Sequence, residues 1–162
     1  MEWLPDLVRL SDYDGSFSSY LEAIYRIFRR DFITSIPYLG GTSQQCFCNR
    51  QVIDGKEAAF WHLISEGPVE NERVPDMRRC ERIAWPRAII EAFGPLVYGW
   101  RSIRRIGGRD RRRLVLSLQD FSYVVILTEL RKGYLLVTAF QVETEHRRTK
   151  LRLEYQRAAA EM

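Results

Sequence analysis

The spacing of the apolar residues changes near residue 97, and this change restricts the chain to a fold that combines helices with a sheet. Before it, apolar residues recur every three or four positions over residues 17–33, which predicts a helix there. After it the period is two, which is typical of β-strands. This second part predicts about four antiparallel strands, at residues 97–106, 113–118, 123–129 and 134–142.

The remaining segments are assigned from composition and from shorter patterns. Residues 1–15 are expected to form an irregular lead-in, because they hold Pro5, Asp12, Asp14 and Gly15. Residues 34–55 are rich in Gly, Ser, Thr and Gln and are expected to loop, with a short strand near 51–53. The apolar run at 58–65 fits either a strand or the end of a short helix. A loop with mixed charges is expected at 67–75.

Two more helices complete the predicted fold. The spacing over residues 80–93 indicates a helix that starts near Trp85, because Pro86 is tolerated only in a first helical turn. The spacing after Thr144 indicates a terminal helix. The order of elements predicts a single α+β domain over residues 1–162. Its N-terminal helices would pack on one face of a roughly four-stranded antiparallel sheet, with a C-terminal helix.

The charge of the chain suggests a polyanionic partner. The formal net charge is +4, and among the 25 basic residues only Lys56, Lys132 and Lys150 are lysines. Arginine binds phosphate through two parallel donors and stacks on bases, so the bias fits RNA as a partner. A high-GC genome that encodes arginine in place of lysine explains the same bias equally well.

Three cysteines, Cys46, Cys48 and Cys80, argue against a complete disulfide framework because their number is odd. Cys46 and Cys48 are too close for a zinc knuckle, so neither a metal nor another cofactor is expected. The N-terminus lacks the basic start and apolar run of a signal peptide, and no apolar stretch reaches membrane-spanning length. A cytoplasmic protein with reduced thiols and no membrane contact is therefore expected.

Residues 55–62, Gly-Lys-Glu-Ala-Ala-Phe-Trp-His, place one of the two histidines, His62, six residues after Lys56. A histidine exchanges protons near neutral pH and a lysine holds an anion, so the pair fits acid–base chemistry on a phosphate. The alternative is a half-buried histidine bonded to a backbone carbonyl, with a solvated lysine.

Three arginines, Arg78, Arg79 and Arg82, stand at the start of the predicted second helix. Cations oppose the helix dipole at that end, so an offsetting negative charge is expected. A bound phosphate would supply it, because a helix N-terminus is an anion site. Pairing with Asp76 and Glu81 would supply it equally well.

Seven arginines crowd residues 101–113 around Gly107 and Gly108. This segment is expected to form a flexible basic finger between two strands that contacts a nucleic-acid backbone. A solvated hairpin loop is the alternative. Two tryptophans are candidates for stacking on a base. The predicted RNA-binding residues are Arg79, Trp85, Trp100, Arg101, Arg104, Arg105, Arg111 and Arg112.

Three segments carry a resemblance to a known family: residues 55–62, Arg-Cys-Glu-Arg-Ile-Ala-Trp at 79–85 and Tyr-Leu-Leu-Val-Thr-Ala-Phe at 134–140. They lie in an envelope of residues 45–157. Its helices and strands follow an order that resembles the barnase, EndoU, colicin and RelE-like ribonuclease superfamily, in particular its phage- and mobile-element-associated branch. The resemblance implies a metal-independent endoribonuclease with a toxin-like role, and RNA and a protein antitoxin as partners.

The resemblance also implies roles for individual residues. His62 would be the general acid or base, and Lys56 and Arg82 (or Arg79) would stabilise the charged phosphorane. Thr138 would position the phosphate. These side chains must then converge on one cleft. A non-catalytic domain of phage or mobile-element origin, which binds nucleic acid or a protein in a regulatory role, is the alternative.

Overall fold

The structure, a computed structural model, describes residues 1–67 and 73–161. Its helices are α1 Phe17–Arg29, α2 Ala58–Ile64, α3 Met77–Glu81, α4 Trp85–Glu91 and α5 Glu145–Ala160. Its strands are β1 Cys46–Phe47, β2 Val52–Ile53, β3 Lys56–Glu57, β4 Ser65–Glu66, β5 Val74–Pro75, β6 Val97–Ile106, β7 Arg109–Leu118, β8 Tyr123–Glu129 and β9 Tyr134–Gln141. A short 3₁₀ turn, Leu10–Tyr13, precedes α1, and a π-helical segment, Arg30–Thr34, extends it. The loop predicted at 67–75 lies partly outside the described residues.

The central sheet has five strands in the order β1-β9-β8-β7-β6. Strands β6 to β9 form the antiparallel meander that the period of two predicts. The fifth strand, β1, pairs in parallel with β9, so the sheet is mixed and larger than the four strands expected. Two residues are too few to show a period, which is why the sequence pattern does not reveal β1.

The first four helices cover one face of this sheet. Tyr20, Ile24 and Phe28 recur every four residues along α1, so they lie on one side of the helix and are fully buried. The ring of Phe28 lies 5.5 Å from that of Phe60 in α2, which joins the two helices over the sheet. This face carries the larger of two apolar clusters.

The C-terminal helix α5 covers the opposite face, which corrects the expectation that the helices share one side. Leu151 and Tyr155 of α5 pack against a second, separate cluster that includes Trp100 and Phe121. The rings of Tyr98 and Tyr155 are stacked with centroids 4.5 Å apart. The molecule therefore has three layers: helices, sheet and a single helix.

The helices near the middle of the chain give the outcome of two local predictions. The apolar run at 58–65 forms a helix, α2, and is not a strand. The helix expected to start near Trp85 is α4, Trp85–Glu91, with Pro86 in its first turn, and a separate short helix, α3, precedes it at Met77–Glu81. Nowhere in residues 1–67 and 73–161 does a helix combine the length and apolarity that a membrane crossing needs.

Candidate nucleic-acid interface

The four residues expected to form a catalytic site do not all converge, because the sheet separates Thr138 from the other three. His62 belongs to α2, whose apolar side chains join the cluster on the first face. Thr138 of β9 lies on the second face, beside Phe140 and opposite Ile126 of β8. A phosphate held by Thr138 is thus on the far side of a packed sheet from α2.

A β-bulge in β9 explains why Thr138 lies on that face. Leu136 pairs with Leu127 and Thr138 pairs with Ile126, so Val137 is left as an extra residue between them. In regular alternation Thr138 would share the side of Tyr134, four residues earlier, which was the arrangement expected. One bulge residue reverses the alternation and turns Thr138 to the other side.

Lys56 has a structural role on the first face. Its Nζ lies 2.7 Å from Oε1 of Glu22 and 5.0 Å from the centre of the Tyr25 ring. The Tyr25 hydroxyl donates to the buried carboxylate of Glu57 over 2.6 Å, and burial together with this bond raises the pKa of Tyr25. These contacts tie β3 to α1, so the Lys56 ammonium already has a carboxylate partner.

Arg79 and Arg82 also serve the local structure. Arg79 Nη1 donates to the Ser65 backbone carbonyl over 2.9 Å. Arg82 lies at the C-terminal end of α3, where a cation suits the dipole, and its guanidinium stacks 5.1 Å from the Trp85 ring. The N-terminus of α3 is capped by Asp76, which accepts from the backbone N–H of Arg79. Asp76 thus supplies the offsetting negative charge expected at this end, where Arg78 and Arg79 lie in the first turn.

The two tryptophans expected to stack on a base are both engaged within the fold. Trp100 is 4% exposed and packs against Phe121 and Tyr155, so its ring is not open to a ligand. Trp85 is partly exposed, but its Nε1 donates to the carbonyl of Pro5 over 2.9 Å. Trp100 is thus a core residue, and Trp85 anchors the N-terminal segment.

The arginine-rich segment forms a regular two-stranded ribbon that extends past the rest of the sheet. Strands β6 and β7 pair along their whole length, whereas β8 reaches only as far as Arg113. Residues 102–113 are called the ribbon from here on. In the outer part of the ribbon, each of the two strands therefore has only the other strand as a neighbour. Gly107 and Gly108 close it with φ of 59° and 77°, a two-residue turn that suits glycine. The basic finger expected between two strands is thus formed by the paired ends of those strands.

A groove of about 850 Å³ lies between the ribbon, the second face of the sheet and α5. Residues 102–106 and Arg113 form one wall, and α5 forms the other. The floor is mostly apolar. Its cations are Arg104, Arg105, Arg113, Arg147 and Lys150, and Glu154 is the one acid among its lining residues within the described chain.

The ion pairs of the ribbon are distributed unequally between its two sides. Arg105 borders the groove, but by register it belongs to the outward side of the ribbon, where it pairs with Asp110 at 3.5 Å. Arg101, just before the ribbon, is on that same side and pairs with Glu129 at 2.5 Å. The groove side carries Arg104, Arg111 and Arg113. None of these three forms an ion pair with an acid in the described residues. Arg112 on the outward side also lacks an ion pair there, so the groove side, which carries Arg109 as well, holds four of the five ribbon arginines without an acidic partner in the described residues.

Arg104 and Arg111 are directly opposite each other on this side, which is a destabilising arrangement of like charges. Arg113 lies next in the row, and its Nε is buried without a hydrogen-bond partner in the described residues. Burial lowers the pKa of the Arg113 guanidinium, and the charge of Arg104 lowers it further. An anion in the groove would relieve both costs.

The groove residues Lys150, Leu151 and Glu154 were not among the expected site residues, although the sequence holds a signal that groups them with Arg147. Arg147, Lys150, Leu151 and Glu154 are spaced by three, one and three residues, so they share one face of a helix.

Comparisons with family models, with curated proteins and with solved structures found no match. The resemblance to the ribonuclease superfamily therefore stays a prediction.

Proposed function

We propose that this chain is a nucleic-acid-binding domain that holds a phosphate backbone in the groove between the ribbon and α5. The observation that carries the proposal is the row of arginines on the groove side of the ribbon that lacks acidic partners in the described residues. Arg147 and Lys150 add positive charge from the opposite wall. Two cationic walls around one groove suit a chain of anions better than a single anion.

The spacing of the arginine row supports a repeating ligand. Arg109, Arg111 and Arg113 alternate along β7, so neighbouring members are about 7 Å apart. A ligand with one charge in every backbone unit can meet such a row at several points. Arginine also offers a planar pair of donors to each phosphate, which lysine does not. RNA and DNA both satisfy these conditions.

Neighbouring arginines on opposite sides of the ribbon provide the test. Arg111→Gln removes a charge from the groove side, and Arg112→Gln removes the same charge from the other side; both residues are exposed. We expect Arg111→Gln to weaken the binding of oligonucleotides about three- to tenfold and to reduce the salt slope by about one, because one phosphate contact is lost. Fluorescence anisotropy over a salt series measures both quantities.

The Arg112→Gln protein is the matched control and should keep the affinity and slope of the unaltered chain to within about twofold. Equal losses in the two variants would mean that the charge of the ribbon acts without regard to its side. That result, or a chain that binds neither RNA nor DNA in a salt-dependent way, overturns the proposal.

A metal-independent ribonuclease is the second candidate, and the position of Glu154 favours keeping it. A carboxylate beside several cations can accept a proton while the cations stabilise a charged phosphate. His62 and Glu154 therefore become competing candidates for the base. If the groove cleaves RNA, Glu154→Gln should reduce the rate by about a hundredfold or more, whereas His62→Ala should leave it unchanged.

This comparison needs purified protein, labelled RNA and an excess of chelator, with products separated on a gel. Circular dichroism of each variant checks that the fold is intact. Cleavage that depends on His62 and not on Glu154 would assign the chemistry to the first face of the sheet. Absence of any product, together with salt-dependent binding, would leave the chain as a binding domain.

A further inference from the structure

The positive charge and the apolar surface of the groove lie in different parts of it, and this arrangement restricts the kind of ligand that can fill it. Its cations belong to the ribbon and α5, which are the two walls. Between them Ile126, Phe140 and Leu151 line the floor, and all three are partly exposed. A ligand that fills the groove must therefore direct its anionic groups towards the two walls and its uncharged groups towards the floor.

A duplex does not meet this requirement. Its phosphates form the outer surface and its bases are stacked inside, so phosphates would face the apolar floor and lose their hydration there. A single strand meets it, because its phosphates can turn to the walls while its unstacked bases lie on the floor. The volume of about 850 Å³ is typical of a pocket for a small ligand, which suits a few nucleotides.

A duplex has another way to bind, since a two-stranded ribbon can enter a major groove. The outward side of the ribbon is poorly suited to that task. Arg105 there is paired with Asp110 and Ile103 is 68% exposed, which leaves Arg112 as the one outward cation of the ribbon without an acidic partner in the described residues. Four such arginines, Arg104, Arg109, Arg111 and Arg113, face inward. A ribbon that read a duplex would need its free cations on the outward side.

From this geometry we propose that the groove binds single-stranded nucleic acid, with the phosphates between Arg104 and Lys150 and the bases on the floor formed by Ile126, Phe140 and Leu151. This inference deepens the proposed function and rests on it. It assigns the apolar floor to base contacts and the two walls to backbone contacts. Affinity should therefore depend on both the bases and the charge.

The experiment compares four probes of about 12 nucleotides on the full chain by fluorescence anisotropy. They are single-stranded RNA, single-stranded DNA, a DNA duplex, and an abasic DNA strand with the same number of phosphates. We expect the single strands to bind at least about tenfold more tightly than either the duplex or the abasic strand. Equal affinity for all four probes overturns the inference and leaves the proposed function standing.

Variants of the floor give a second, independent measure. Ile126→Thr keeps a β-branched side chain in β8, and Leu151→Gln keeps a good helix former in α5. Each should weaken the single strands about fivefold and leave the duplex unchanged. Val52→Thr, at a position that is 65% exposed and off the groove, is the matched control and should change neither.

The outcomes separate the two proposals. If no probe binds, the proposed function itself fails. If Arg111→Gln weakens binding while both floor variants are neutral on single strands, the backbone contacts stand and the base contacts are refuted. An acidic peptide with the same charge as the single strand, if it competed for the groove as effectively as an unlabelled strand, would also refute the base contacts, since such a peptide carries no bases.

Discussion

At the scale of single residues, Arg113 is the position where folding and the proposed binding would place opposite demands on the chain. Its Nε is buried without an acceptor in the described residues, which is a cost that the folded protein carries by itself. Burial and the neighbouring Arg104 lower the pKa of its guanidinium. An anion that entered the groove would supply the missing acceptor and the missing charge.

Replacement of Arg113 by methionine should therefore improve stability and impair binding. We expect Arg113→Met to raise the free energy of unfolding by up to about 1 kcal/mol, since an apolar side chain needs no acceptor. Binding of single-stranded probes should weaken about tenfold or more. Urea unfolding and fluorescence anisotropy measure the two effects on the same samples.

The exposed neighbour Arg112 is the control for Arg113, because Arg112→Met removes a charge on the other side of the ribbon. It should leave both stability and affinity nearly unchanged. A less stable Arg113→Met protein would show that the guanidinium stabilises the fold, and the conflict described for this residue would then be absent.

At the scale of elements, the bulge in β9 sets which side chains enter the groove. Deletion of Val137 would leave Leu136 and Thr138 adjacent, opposite Leu127 and Ile126, in an ordinary ladder. Every other side chain would keep its side of the sheet. We therefore expect this deletion to cost no more than about 2 kcal/mol and to leave unfolding cooperative, as measured by circular dichroism in urea.

Deletion of Val125 is the matched comparison in the neighbouring strand. Val125 is fully buried in β8, which has regular pairing with β7. Its loss would turn the side chains in one half of β8 to the opposite face of the sheet. This change should abolish cooperative unfolding. If both deletions abolish it, Val137 has a packing role beyond that of an extra residue.

The elements also show what the sequence can and cannot predict. Strands β6, β8 and β9 were predicted to within one residue, because their alternation is a local signal, whereas β7 begins at Arg109, four residues before its expected start. The bulge could not be predicted, since residues 134–140 are apolar at nearly every position and no alternation shows the shift. The run that forms α2 was ambiguous because it is buried on several sides.

At the scale of the whole molecule, the position of α5 decides where the candidate site lies. Its apolar stripe is narrow, and nothing in its spacing tells which face of a sheet it covers. The sequence therefore predicted a basic segment but not a groove, and it grouped His62 with Thr138 across the sheet. The net charge of +4 also does not show that acidic partners are unevenly distributed over the molecule. Acids accompany the cations around α1 and α4, whereas the groove side of the ribbon has none in the described residues.

The two walls of the groove are far apart along the chain, and this has a consequence during synthesis. The ribbon ends at residue 113, whereas the second wall is α5, Glu145–Ala160. A ribosome adds roughly 5–20 residues per second, so the ribbon emerges a few seconds before the helix that completes the groove. If the groove binds a strand as proposed, the nascent chain would pass the RNA-rich surface of the ribosome with its arginines exposed but before the binding site is closed.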